Sequence, residues 1–198
     1  MDLGYTRDSG ADEGGGVAMP AISSAVRNFV RARIGDTESG WNYWINQYWN
    51  PQYHLDAGSC PEINIEQPGL NFFPGQVTPD IIDATGISRY PICSVYTAAA
   101  DDIHLQTPAL FAGIVRIGVD WWESFLDESP PLDPESSADA IEDAMYTAFN
   151  SQEYYGLLNN SGISYNNEMS VIRGPLQPGG DNWVRLSRYS LIFRRITD

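Results

Sequence analysis

The chain contains no lysine; all its basic residues are arginines, eleven of them. That excludes a phosphate-loop lysine, a Schiff-base lysine and a lysine general base. Histidine is scarce too. His54 and His104 are the only two, and neither has a second His or Cys at a ligand spacing such as His-x3-His. Asp101-Asp102-Ile103-His104 therefore reads as a solvated hairpin turn rather than a metal site. Cys60 and Cys93 are isolated and read as reduced, semi-buried residues of a cytosolic chain, where disulfides are rare. No apolar run approaches the roughly 18 residues that a membrane helix needs. The longest, Leu110 to Val119, is broken by Arg116 and closed by Asp120. The Gly-x-Ser-x-Gly nucleophile elbow is absent. Gly14-Gly15-Gly16 follows no strand and precedes no Gly-Lys-Ser, so it is no phosphate cradle. Carboxylate pairs occur at Asp101/Asp102, Asp127/Glu128 and Glu142/Asp143. In an acidic chain they read as solvated faces rather than a glycosidase pair. These absences point away from an enzyme and from a resident metal or cofactor.

What is present is acidity. The 198 residues carry a formal net charge of −15, with 42% apolar residues. The length suits one domain with its own core. The charge is segregated. Residues 120–143 hold nine acids and no arginine, whereas residues 20–35 and 183–198 each sum to +3. Such a surface repels a phosphate backbone, so a DNA sequence reader is not expected. The same acidity suits a channel through which DNA slides without sticking. Residues 1–19 are polar and Gly-rich, with Asp2, Asp8, Asp12 and Glu13. They read as a mobile arm, either a frayed terminus or a segment that orders on a partner, and not as a secretory signal.

The periodicities predict an α+β domain over 20–198. Ile22, Val26, Phe29, Val30 and Ile34 share a helical face over 20–34, closed by Gly35, with Arg27, Arg31 and Arg33 off that face. Residues 36–90 read as a long irregular insertion, rich in aromatics and interrupted by prolines at 51, 61, 68, 74 and 79. Ile92 to Ala99 reads as a strand. From Phe111 to Trp121 strict alternation predicts a second one, joined to the first by a loose acidic connection at 100–109. An Ala-rich amphipathic helix is expected over 136–150, with Ser136 as its N-cap. Two closing strands are expected at 168–176 and 183–196, turned by Pro178-Gly179-Gly180-Asp181-Asn182. Val184 and Leu186 have the opposite parity to Tyr189, Leu191 and Phe193, which predicts a bulge near Ser187-Arg188. Together these make an antiparallel sheet of about four strands with two helices on one face.

The candidate functional residues are interface candidates. Arg27, Arg31 and Arg33 read as a solvated helix face or as a contact with an acidic neighbour. Trp41, Trp44 and Trp49, within the Trp/Tyr cluster at 41–53, read first as packing anchors and otherwise as interface hot spots. A carbohydrate-binding platform is a rival from another class. Arg185, Arg188, Arg194 and Arg195 are cationic partners for the acidic block at 120–143 of a neighbouring copy.

One family shares this pattern. Helix 20–34, the run Tyr90-Pro91-Ile92-Cys93-Ser94-Val95-Tyr96, the Phe111–Trp121 strand and its exit Asp120-Trp121-Trp122-Glu123-Ser124 resemble tail terminator proteins of long-tailed bacteriophages. So do the Ala-rich helix, Asn159-Asn160-Ser161-Gly162, the 168–176 strand and the Arg-flanked closing strand. The resemblance implies a structural virion protein, assembled in the host cytoplasm, that forms a ring, typically hexameric, at the tail–neck junction. It implies contacts with its own copies, with the tail tube protein and with a head-side neck or stopper protein. DNA would pass through the lumen without specific binding, and no membrane or cofactor would be involved. Stoppers and adaptors of the same neck are the neighbouring reading. The 36–90 stretch and the arm depart from the simplest family members.

Overall fold

The computed structural model describes residues 22–66, 71–78, 90–104, 111–126, 133–150, 163–179 and 182–195. The expected arm at 1–19, the helix start at Pro20 and Asn159–Gly162 lie outside them.

Helix α1 spans Ile22–Gly35. Val26, Val30 and Ile34 are fully buried, as a stripe at helical spacing requires. Arg33 departs from the expected solvated face and is buried. Its Nε donates to the Ala148 carbonyl at 2.9 Å. Ala148 belongs to the last turn of helix α3, Pro134–Asn150, where carbonyls lack intrahelical donors. The Arg33 Nη1 donates to Asp36 at 3.1 Å and to Ser39 at 2.7 Å. Arg33 is thus a clamp between two helices.

The 36–90 stretch is more regular than expected. It holds helix α2, Trp41–Tyr48, a 3-10 turn at Ala57–Ser59 and strand β1, Phe72–Phe73. Trp41, Ile45 and Trp49 recur at intervals of four and are buried. The prolines all follow α2, so they leave it intact. Asn42 then holds the returning chain: its Nδ2 donates to the Ile63 carbonyl at 2.9 Å and its Oδ1 accepts from the Ile63 N–H at 3.0 Å. Trp49 Nε1 donates to the Asp56 carbonyl at 2.9 Å.

Asp36 ties α1 to α2. Burial pushes its carboxyl up, but hydrogen bonds from the Glu38 and Ser39 N–H groups and the Ser39 hydroxyl, with Arg33 beside it, bring it below the ordinary value of 3.8. Its contribution is therefore complete above that value and is lost as pH falls through the lower folded value. Asp36→Ala is expected to cost about 1–2 kcal/mol at neutral pH. Urea midpoints of the two proteins should converge as pH drops below 3.8.

The remaining strands are β2 (Ile92–His104), β3 (Phe111–Leu126), β4 (Ile163–Arg173), β5 (Gln177–Gly179) and β6 (Asn182–Arg195). Their order is β1-β2-β3-β6-β4, with β5 beside β6. The long strands pair antiparallel, but β1 runs parallel to β2 through Phe72↔Cys93 and Phe73↔Ser94. The fold is mixed α+β, and its sheet is mixed and six-stranded among the described residues, rather than purely antiparallel with about four strands. The β2–β3 ladder continues to His104↔Phe111, so residues 100–104 of the expected loose connection at 100–109 are strand instead, and the rest of it lies outside the described residues. Helix α3 starts two residues before the expected position. Asp133 caps it by accepting from the Glu135 N–H at 3.1 Å, and Pro134 fills the first helical position, where a missing N–H costs nothing. Ser136 instead donates its hydroxyl to Asp133 at 2.7 Å.

The predicted bulge at Ser187-Arg188 is absent: β3 and β6 pair residue by residue from Gly113↔Arg195 to Leu126↔Asn182. The parity conflict has another cause. The inward face of β6 begins with two polar residues, Arg185 and Ser187, both buried. Arg185 is accommodated because Glu123 sits directly opposite on β3, with the guanidinium and carboxylate 3.0 Å apart. Ser137 of α3 donates to the same carboxylate at 2.7 Å.

All three helices lie on this face. Trp41 stacks on Trp121, ring centroids 4.2 Å apart, and one core runs from Val26 and Trp41 through Val119 and Tyr189 to Met145 and Phe149.

Candidate functional site

An antiparallel array with helices on one side presents its other side to solvent or to a partner. Alternation places Tyr96 of β2, Arg116, Gly118 and Asp120 of β3, Arg188 of β6 and Ile172 of β4 on that uncovered side. One end of it is capped, where Phe73, Val77 and Tyr90 pack with Ile92 and Trp122. The middle stays open as a groove of about 460 Å³, lined by Tyr96, Arg116, Arg188, Ile172 and the hydroxyl residues Ser170 and Ser190.

The groove floor is built around one ion pair. Asp120 and Arg188 are directly opposite across β3 and β6. Arg188 donates Nε and Nη2 to the two carboxylate oxygens, each at 2.8 Å, a planar bidentate match. Tyr96 Oη donates to Asp120 at 3.1 Å. These two side chains cover Asp120 completely, while the Arg188 side chain stays 45% exposed. The hydrogen bond and charge of Asp120 hold the Arg188 guanidinium well above its ordinary value. Burial, then the Asp120 charge, pushes the Tyr96 phenol up to about 12.

Gly118 makes this arrangement possible. It is the cross-strand partner of Tyr96, and the ring lies across it. A Cβ there would come within 2.5 Å of the ring. Gly118→Ala is expected to lift Tyr96 off Asp120 and cost about 1–2 kcal/mol, as modest overpacking does. Spectrophotometric titration checks it, since the phenol should then titrate nearer its ordinary value of 10.

Arg116 is exposed and makes no ion pair among the described residues. Arg194 is exposed on the same side, opposite Ile114. The described side chains of this side thus include three arginines and one aspartate. Ile172 is 71% exposed beside them.

On the helix-covered side, the α3 strip has the opposite sign among the described residues. Helix α3 presents Glu135, Asp139, Glu142 and Asp143. Arg173 neutralises part of this strip, with Nη2 at 2.6 Å from both Asp139 and Glu142. Arg185 reaches Glu135 at 3.1 Å but is balanced by Glu123. Asp143 accepts the Tyr53 hydroxyl at 2.6 Å. Four carboxylates therefore face one unbalanced arginine. Glu135 and Asp139 keep 72% and 46% of their side chains exposed.

The residues singled out from sequence divide accordingly. Trp41, Trp49, Arg33 and Arg185 are buried, so no partner touches them on the folded chain, and Trp41 and Trp49 offer no ring face to a sugar. Trp44 is half-buried, donating to the Ser39 carbonyl at 3.0 Å and stacking on Tyr48. Arg27 is half-buried and donates to Thr97 at 3.4 Å. Arg31 lies over the Phe72 ring, 5.3 Å from its centroid. Burial, then the nearby Arg27 charge, lowers its pKa. Arg188 and Arg194 reach the uncovered side. The Arg195 side chain lies outside the described residues. Sequence reading missed Arg116, which registers there only as an interruption of an apolar run.

Among the described residues, no three His, Cys, Asp or Glu side chains converge as metal ligands. No helix among them is long and apolar enough to cross a membrane. The chain matches no known protein-family model and no curated protein.

Proposed function

We propose that this chain is a structural subunit of the tail–neck junction of a long-tailed bacteriophage: a tail terminator that closes into a ring, halts tail-tube polymerisation and joins tail to head. The observation that carries this reading is the placement of charge. The arginine groove and the acidic α3 strip lie on opposite sides of one subunit, so they meet only between copies. Patches that are complementary but distinct associate head to tail, and such contacts close into rings when the rotation permits. Six copies is the expected number. The tail tube protein and a head-side neck protein are the expected partners on the two ring faces. The overall charge of −15 keeps DNA from adhering as it passes through. The role is one of assembly in the virion, with no chemistry asked of any side chain. An open sheet under three helices fits a terminator better than a stopper, which tends to be a small β-barrel, or an adaptor, which is mostly helical.

The test is tube growth. Purified chain added to polymerising tail-tube subunits is expected to stop elongation, leaving short tubes whose number scales with the amount added. Tube lengths that do not respond would remove the terminator reading.

A further inference from the structure

We infer that the uncovered groove of one copy receives the outer face of helix α3 of a second copy, with Arg116 and Arg188 set against Glu135 and Asp139. The inference rests on the ring reading and deepens it by naming the two surfaces. Three observations on the molecule lead to it. First, among the described side chains the groove is cationic and α3 is anionic on a chain that is otherwise strongly acidic, so the groove is a place where a neighbouring copy's acidic surface gains rather than loses. Second, Arg116 has no carboxylate partner among the described residues, while Asp139 shares Arg173 with Glu142 and Glu135, and the Arg185 that also reaches Glu135 is already matched by Glu123. Each side carries charge that its own fold leaves uncompensated. Third, Ile172 is 71% exposed at the groove, directly opposite Arg188, and an apolar side chain there suits the aliphatic parts of a helix face better than water.

The groove is also stiff. Arg188 is locked by its bidentate bond to Asp120, and Tyr96 by the same carboxylate and by Gly118. Little side-chain freedom remains to be lost when a partner docks. Arg188 keeps 45% of its side chain exposed, so it presents charge to a partner while holding Asp120. The helix is the complementary rigid element, because Glu135 and Asp139 lie four residues apart and share a face.

The experiment is a charge swap on the full chain, read by sedimentation velocity over a range of concentration and salt, with circular dichroism as the folding control. Where the wild-type chain needs tail-tube subunits to assemble, the same variants are read on the tube-bound species. Arg116→Glu and Asp139→Arg are each expected to weaken association on the order of tenfold or more, as like charges brought face to face do. The double variant Arg116→Glu/Asp139→Arg restores opposite signs and should recover most of the loss. Salt should weaken the wild type and flatten the differences. Because Asp139 holds Arg173, Asp139→Asn serves as a milder variant, expected to fall between wild type and Asp139→Arg. Wild-type association that Arg116→Glu leaves unchanged would overturn the docking while leaving the ring reading in place. Association that obeys the swap but grows without closing would support the docking and remove the ring. A chain that stays monomeric alone and with tube subunits overturns both.

Discussion

Glu123→Ala is expected to cost about 3–5 kcal/mol, because it strands a buried guanidinium. The Glu123 and Arg185 side chains are only 4% and 2% exposed. Arg185 would keep Glu135 and the Pro134 carbonyl as partners, but the carboxylate directly beneath it would be gone. Burial dominates the environment of Glu123 and pushes its carboxyl above the ordinary value, against the pull of Arg185 and the Ser137 hydroxyl. A neutral isostere is therefore tolerated better than a truncation: Glu123→Gln should lose less than Glu123→Ala, since an amide can still hydrogen-bond. The double replacement Glu123→Leu/Arg185→Met should fall within about 1 kcal/mol of wild type or exceed it, because an apolar pair of similar volume escapes the desolvation cost of two ions. Urea denaturation of the four proteins checks this. A double variant as unstable as Glu123→Ala would mean the pair stabilises the fold outright.

The second large effect lies where the helices meet the sheet. Trp41→Ala should destabilise the chain by about 3–5 kcal/mol. Trp41 is fully buried. It stacks on Trp121 at 4.2 Å and donates Nε1 to the Ile141 carbonyl of α3 at 3.3 Å. One side chain thus joins α2, β3 and α3, and its removal leaves a cavity that three rigid elements cannot close. Trp44→Ala, three residues on and half-buried, should cost much less. Thermal or urea midpoints of the two variants separate the cases. Equal losses would place α2 outside the core.

Much of the fold was legible because the apolar stripes are clean. Val26, Val30 and Ile34 mark α1, and the alternation Val115, Ile117, Val119, Trp121 marks β3. Helix α2 was hidden by composition: the prolines after it made the whole stretch read as irregular, although Trp41, Ile45 and Trp49 already stood at helical spacing. The two cross-strand ion pairs were missed because charged residues were assigned outward by default. A signal for them was present. Asp120 and Glu123 are three apart, and so are Arg185 and Arg188. In an antiparallel pair one register aligns both acids with both arginines at once, Asp120 with Arg188 and Glu123 with Arg185. An odd separation in a strand puts the two pairs on opposite faces: one under α3, the other in the groove. Arg116 was missed because an exposed arginine in an apolar strand has no meaning until one knows which face the helices leave bare. No pattern in one sequence states that.

Assembly is the proposed role, and copy number is its most direct measure. Native mass spectrometry of the purified chain, alone and with tail-tube subunits, should show a single closed species of one stoichiometry, six copies, in at least one of the two samples. A monomer in both, or a ladder of sizes with no preferred number, would contradict it.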